Sequence, residues 1–208
     1  MRTNLIPALA APFFLAACSS FPIVGSGTNL VQAEANAQTF IAETDTKMEG
    51  MDITPFDNLP TNGTANYRGV TYGIYGGSGD GPDVVHYADL SASVNFQTTD
   101  VTGTIYNVTT DMPGFEKPTG TVAITGNIED DGGETYFYAD GSGSLTGTTM
   151  TADYEVLSLD GYLYGPNGEV IQGYSTVDIN WTSGDHDGTT SWSDGEFYLI
   201  APSQPLDP

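Results

Sequence analysis

Between residues 61 and 200, short apolar runs alternate with clusters of Gly, Asp, Asn and Pro, and no apolar stripe at helical spacing lasts beyond about two turns. In Ala88-Asp89-Leu90-Ser91-Ala92-Ser93-Val94-Asn95-Phe96 the even positions are apolar and the odd ones polar, the period of a strand with one buried face. The same period recurs at Val122, Ile124 and Ile128, at Met150, Ala152, Tyr154 and Val156, and at Ile171, Val177, Ile179 and Trp181. Strands are predicted near 64–75, 85–97, 101–109, 120–129, 135–146, 148–157, 159–165, 169–181 and 190–200, one of these nine being a split or capping piece. The short connections require antiparallel neighbours.

Eight or nine consecutive antiparallel strands must either close on themselves or stack as two sheets, and closure removes the exposed edges. The expected fold is therefore all-β: an antiparallel, up-and-down, soluble barrel of eight strands, with a ninth allowed for. The 26 glycines suit sharp strand coiling in a small barrel whose interior side chains fill. Periodicity alone leaves a two-sheet sandwich open. A membrane-spanning barrel is the weaker alternative, because the N-terminus carries an anchor of its own.

That anchor lies in the first eighteen residues. Arg2 precedes the apolar run from Leu5 to Ala17, which is too short to cross a hydrocarbon core of about 30 Å and reads as a signal peptide over residues 1–17. Leu15-Ala16-Ala17-Cys18 resembles the bacterial lipobox, and Cys18 is the only cysteine, so it is expected to carry lipid. Two or three acyl chains would make the attachment to the membrane stable. Ser19 is not the aspartate that retains many lipoproteins at the inner membrane, so the outer membrane is expected, with the side left open. Residues 18–58 lack a long period and read as a lipidated, flexible tether with a lead-in strand; a helix near residues 30–37 is allowed but too short to stand alone. The barrel occupies 59–200 and a tail 201–208.

Charge narrows the partners. Four basic residues against 27 acidic ones give −23, with no basic stripe to meet nucleic acid, and anionic headgroups would be repelled. A basic partner or metal cations would be attracted, although an acidic surface also serves solubility. No cofactor motif is present, and HExxH, CxxC and GxSxG are absent, so no enzyme and no catalytic residue is expected. Of the two histidines, His86 holds the apolar phase of its strand and His186 sits in a polar turn. The acidic turns at Asp80/Asp83, Asp130/Asp131/Glu134 and Asp185/Asp187 offer oxygen ligands without EF-hand order, and read as solvated hairpin turns, not metal sites.

Twelve tyrosines, nine phenylalanines and two tryptophans are distributed over the strands; most fill the barrel, and the remainder form a candidate recognition patch. A filled barrel binds on its rim loops or its outer wall. The longer glycine-rich and acidic loops at 76–82, 111–119 and 183–190 form the candidate rim, with Tyr75, His86, Phe115 and Trp192 as anchors for a protein or small-molecule ligand of a monomeric module.

Residues 59–69, Leu-Pro-Thr-Asn-Gly-Thr-Ala-Asn-Tyr-Arg-Gly, carry a Gly-x-Ala-x-Tyr-x-Gly-like run after a proline. The strand Leu90–Phe96 is followed by Val101-Thr102-Gly103-Thr104-Ile105, and Gly161-Tyr162-Leu163-Tyr164-Gly165-Pro166-Asn167-Gly168-Glu169 leads to Gly173. In this order the three segments resemble the barrel domain of the transferrin-binding protein B family of surface lipoproteins, with Leu163 and Gly168 in place of that family's Phe and Ala. The resemblance implies an eight-stranded barrel on a lipoprotein. Family members resemble two lobes with a handle beside each barrel, whereas this chain has room for one barrel, and transferrin is not expected as its ligand. Two functions remain: a binding module, in nutrient or iron-related acquisition for example, or an accessory envelope lipoprotein with no dedicated ligand.

Overall fold

In the computed structural model, which describes residues 23–25, 29–75 and 81–201, eight strands follow one another around a closed barrel. They are β1 (Thr64–Tyr75), β2 (Val84–Asn95), β3 (Asp100–Thr110), β4 (Val122–Asp131), β5 (Glu134–Thr146), β6 (Thr151–Tyr164), β7 (Val170–Ser183) and β8 (Thr190–Ile200). Every strand pairs antiparallel with the next, and β1 closes on β8 in the register Val70 to Tyr198 and Tyr72 to Glu196. The sandwich is thereby excluded. Residues 1–22, with the leader and Cys18, lie outside the described residues, as do 76–80 and the side chain of Tyr75.

The apolar phase of most strands points inward, although in β1 Ile74 is exposed and Val70 lies outside the interior cluster. Leu90, Ile105, Ile124, Phe137, Tyr154 and Trp181 are all fully buried in that interior, and polar positions make the outer wall. Two of the nine predicted strands are one: β6 runs through both, with a register shift between Val156 and Ser158. The extra residue, Leu157, reverses the phase, so Ala152, Tyr154 and Val156 face inward before it and Leu159 and Leu163 after it. A second shift, opposite Tyr87 and Asp89, places Asn107 at φ 53°, a left-handed conformation that asparagine tolerates. Between β4 and β5 the chain reverses on Gly132 and Gly133, both at positive φ as a tight hairpin demands.

The expectation of a flexible tether needs correction. Residues Leu30–Met48 form a 19-residue helix, α1, capped by the Asn29 side chain accepting from the Gln32 amide at 3.0 Å. Ala33 and Ala37 are fully buried against Val70 and Tyr198, with Phe40 and Ile41 continuing the same face. The stripe is helical, but alanine and threonine make it faint as hydropathy. Before the helix, residues 23–25 lie on the wall of β2, where the buried Asp89 carboxylate accepts the amides of Ile23 at 2.8 Å and Val24 at 2.7 Å, together with the Asn107 side-chain amide at 2.7 Å. After it, the lead-in segment clamps one barrel end: the Thr54 amide donates to Leu163, the Thr135 amide to Thr54, and the Gly165 amide to Asp52. Inside, the Tyr67 hydroxyl donates to the Gly168 carbonyl at 2.7 Å. The Gly-Pro-Asn-Gly turn thus closes the barrel floor.

Candidate functional site

Of the rim anchors, His86 and Phe115 turn into the barrel while Trp192 lies on its outer wall. His86 projects from β2 into the barrel and is fully buried, its Nε2 3.1 Å from the Tyr154 hydroxyl. Burial pushes its pKa down to about 3, offset in part by a backbone hydrogen bond with Gly73, so the imidazole is neutral. Phe115, from the loop between β3 and β4, folds inward as a plug, fully buried and edge-on to Trp181 at 5.0 Å. Neither offers a face to a partner in this arrangement. Tyr75 ends β1 opposite Val84, and Trp192 lies on the outer wall of β8, half-buried and paired with Asp178.

The loops do share an end, as alternate hairpins of an up-and-down barrel must. Gly81 donates to Thr190, and the Thr148 amide donates to Gly114. His186 stands at that end, its ring 6.1 Å from Trp181. Of the acidic turns, Asp130 accepts the Gly133 amide at 2.6 Å within the β4–β5 hairpin, and Asp131 accepts the Tyr162 hydroxyl of β6 at 2.8 Å. Among the described residues no three metal-ligating side chains cluster, and no helix is long and apolar enough to cross a membrane.

What the register assembles instead is an aromatic belt on the outer wall. Because facing residues in neighbouring strands point the same way, Tyr136, Tyr162, Gln172 and Tyr198 form one cross-strand row over β5 to β8. Beside it runs a second row, Tyr138, Asp160, Tyr174, Glu196, Tyr72 and Tyr87. Helix α1 covers the β8–β1–β2 end of the belt, where Tyr72 stacks on Tyr87 at 5.9 Å and Tyr87 meets Glu34 of the helix. The β5–β7 end is open.

In that open part a groove of about 420 Å³ is walled by Tyr136, Tyr162, Tyr164 and Tyr174, with Asp160, Gln172 and Glu196 as its polar groups. Gly161 and Gly173 face each other on its floor, and a Cβ on either would run into the backbone carbonyl of the opposite strand. That close approach creases the wall. Tyr136 and Tyr162 meet edge to face at 5.3 Å, while Tyr174 is 68% exposed.

The groove's electrostatics are one-sided. Tyr72 and Tyr198 donate to the same Glu196 oxygen, Oε2, at 2.6 and 3.0 Å, and Ser158 donates to Asp160 at 2.9 Å. Burial first and Asp160 second push the Tyr136 phenol up to about 12, and burial with Glu196 does the same for Tyr198. These hydroxyls therefore stay protonated and aimed at carboxylates, which leaves mainly acceptors facing outward. No lysine or arginine lines the groove. A second groove of about 380 Å³, on β1–β3, has a different lining: Ser91, Ser93, Thr102 and Thr104, with no carboxylate.

Sequence reasoning quoted the Gly161–Gly173 segment but did not join it to Tyr136, Asp160, Tyr174 and Glu196. Most aromatic residues were expected to fill the barrel, whereas these tyrosines stand on its outer wall, and their adjacency depends on strand register. A scan against protein-family models matches none, and a search of curated proteins finds no match.

Proposed function

We propose that this protein is an envelope lipoprotein, anchored through Cys18 in the outer membrane, whose barrel is a binding module that engages its partner on the outer wall of β5–β8. The observation that carries the reading is the open, tyrosine-walled groove beside a belt whose other end is already covered by α1. Tyrosine brings large apolar area at low entropic cost, and an aromatic surface that the protein's own helix covers on one side is suited to a second segment on the other. The resemblance to the transferrin-binding protein B barrel supports a surface lipoprotein of this kind and is silent on the ligand.

The full chain in mild detergent is used to capture partners from growth medium and host extract, in parallel with a Tyr162→Ala/Tyr174→Ala variant and the loop variant Asp187→Ala. One reproducible partner, lost with the groove variant and retained with Asp187→Ala, is the expected result. Loss with Asp187→Ala alone moves the binding face to the rim. Empty capture together with an envelope defect on gene deletion favours the accessory role. For the anchor, palmitate labelling that survives Cys18→Ala excludes lipidation at this residue.

A further inference from the structure

We infer that the outer wall of β6–β8 recognises an extended, arginine-bearing segment of a basic protein, with one guanidinium on Tyr174 between Asp160 and Glu196 and a second on Trp192 beside Asp178. This rests on the binding-module reading above and specifies its partner.

The first station follows from the ladder. Tyr174 is the direct cross-strand neighbour of both Asp160 and Glu196, so its exposed ring has a carboxylate on either side within side-chain reach. Among the described residues, both hydroxyls that donate to Glu196 use Oε2, so neither of them occupies Oε1. A planar cation lying on the ring meets the negative face of the π-system and can donate to a carboxylate in the same pose. Guanidinium satisfies both demands better than ammonium, which is compact and more strongly hydrated. A neutral sugar would stack on the ring but gains little from surrounding charge.

The second station lies along the same strands. Trp192 is half-buried on β8 opposite Asp178, and Asp178 is itself opposite Glu155 on β6. Two carboxylates in directly facing positions repel, and a cation between them removes the repulsion. Asp194 and Asp153 extend this acidic track on the same wall, both exposed. A track of this length fits a segment with several charges and exceeds what one small cation occupies. Asp178 follows Tyr174 by four residues on β7, about 13 Å at strand rise. An extended ligand places side chains that far apart at positions i and i+4.

The probe is a fluorescent twelve-residue Ser/Thr peptide with two arginines at i and i+4, titrated by anisotropy against the full chain in detergent at low and moderate salt. Expected results are saturable binding, no binding of the analogue with citrulline at both positions, and losses of roughly 2- to 30-fold for Tyr174→Ala and for Trp192→Ala. Ser93→Ala, on the polar groove of the other wall, leaves affinity unchanged. Thermal melts of each variant establish that the fold survives. Equal binding of the citrulline peptide, or wild-type affinity in both aromatic variants, overturns the inference; the latter would make the attraction general charge. Binding of a neutral oligosaccharide such as maltohexaose that is lost in Tyr174→Ala, with no arginine-peptide binding, overturns the cation while leaving the groove in place. Retained partner capture by Tyr162→Ala/Tyr174→Ala instead removes the groove reading itself.

Discussion

A buried histidine held neutral makes stability depend on pH in a defined direction. His86 is pushed down to about 3 in the fold against about 6.5 in an unfolded chain, so between these values only the unfolded state binds the proton. Its contribution is complete above about pH 6.5 and is lost as pH falls toward 3. Acidification also relieves the repulsion of a chain at −23, an opposite trend shared by any variant. The difference between wild type and His86→Gln isolates the histidine: urea midpoints from pH 7 to pH 4 should fall more steeply for wild type, and parallel curves would show that the imidazole is not held neutral. Asp89 is the other residue on which much depends. Its carboxylate accepts the three amides of Ile23, Val24 and Gly25 and the side-chain amide of the left-handed Asn107, so Asp89→Ala should cost roughly 2–3 kcal/mol and open residues 23–25 to protease. An unchanged digestion pattern would argue against the strap.

At the level of elements, the bulge in β6 is a device with a sharp test. Leu157 is 41% exposed and makes no core contact, yet it sets the phase of everything around it. Leu157→Ser should shift stability by less than about 0.5 kcal/mol. Deleting Leu157 turns one half of β6 inside out, moving either Tyr154 and Val156 or Leu159 and Leu163 to the outer wall, and should abolish folding as read by proteolysis and amide exchange. The same residue explains why alternation read along the sequence broke this strand in two: period counting assumes a constant phase, and a single inserted residue resets it. The sequence allowed a helix near residues 30–37 but showed neither the full length of α1 nor its docking, for another reason. Ala33 and Ala37 are small because the helix sits close on the wall, and a stripe chosen for close approach carries little hydrophobicity to detect.

For the molecule as a whole, surface charge opposes compaction. With 27 acidic and four basic residues, raising sodium chloride from about 10 mM to about 500 mM shortens the screening length from roughly 30 Å to a few ångströms and should raise the melting temperature. The same salt should weaken the arginine peptide. A melting temperature independent of salt would mean that the carboxylates are spaced or paired well enough to cancel their repulsion. These opposite signs separate the protein's own repulsion from its attraction for a cationic partner.

Strand number, antiparallel order and the inward face of most strands were legible along the chain, because alternation and turn residues are local properties and a chain of short meander strands has few ways to hide its edges. Closure was expected from the edges it removes, although periodicity alone left a two-sheet sandwich open; register and the docking of α1 were not legible. They depend on which residue of one strand faces which residue of the next, a matter settled by bulges at Leu157 and Asn107 and by the fit of a filled interior. His86 illustrates the legible part, since its apolar phase already pointed inward. Phe115 shows the other: a loop residue with the composition of a rim anchor is drawn inside by Trp181, a contact between residues 66 positions apart. The groove belongs to the second class throughout. Tyr136, Asp160, Tyr174 and Glu196 come from four strands and become neighbours only because β5 to β8 pair in this register.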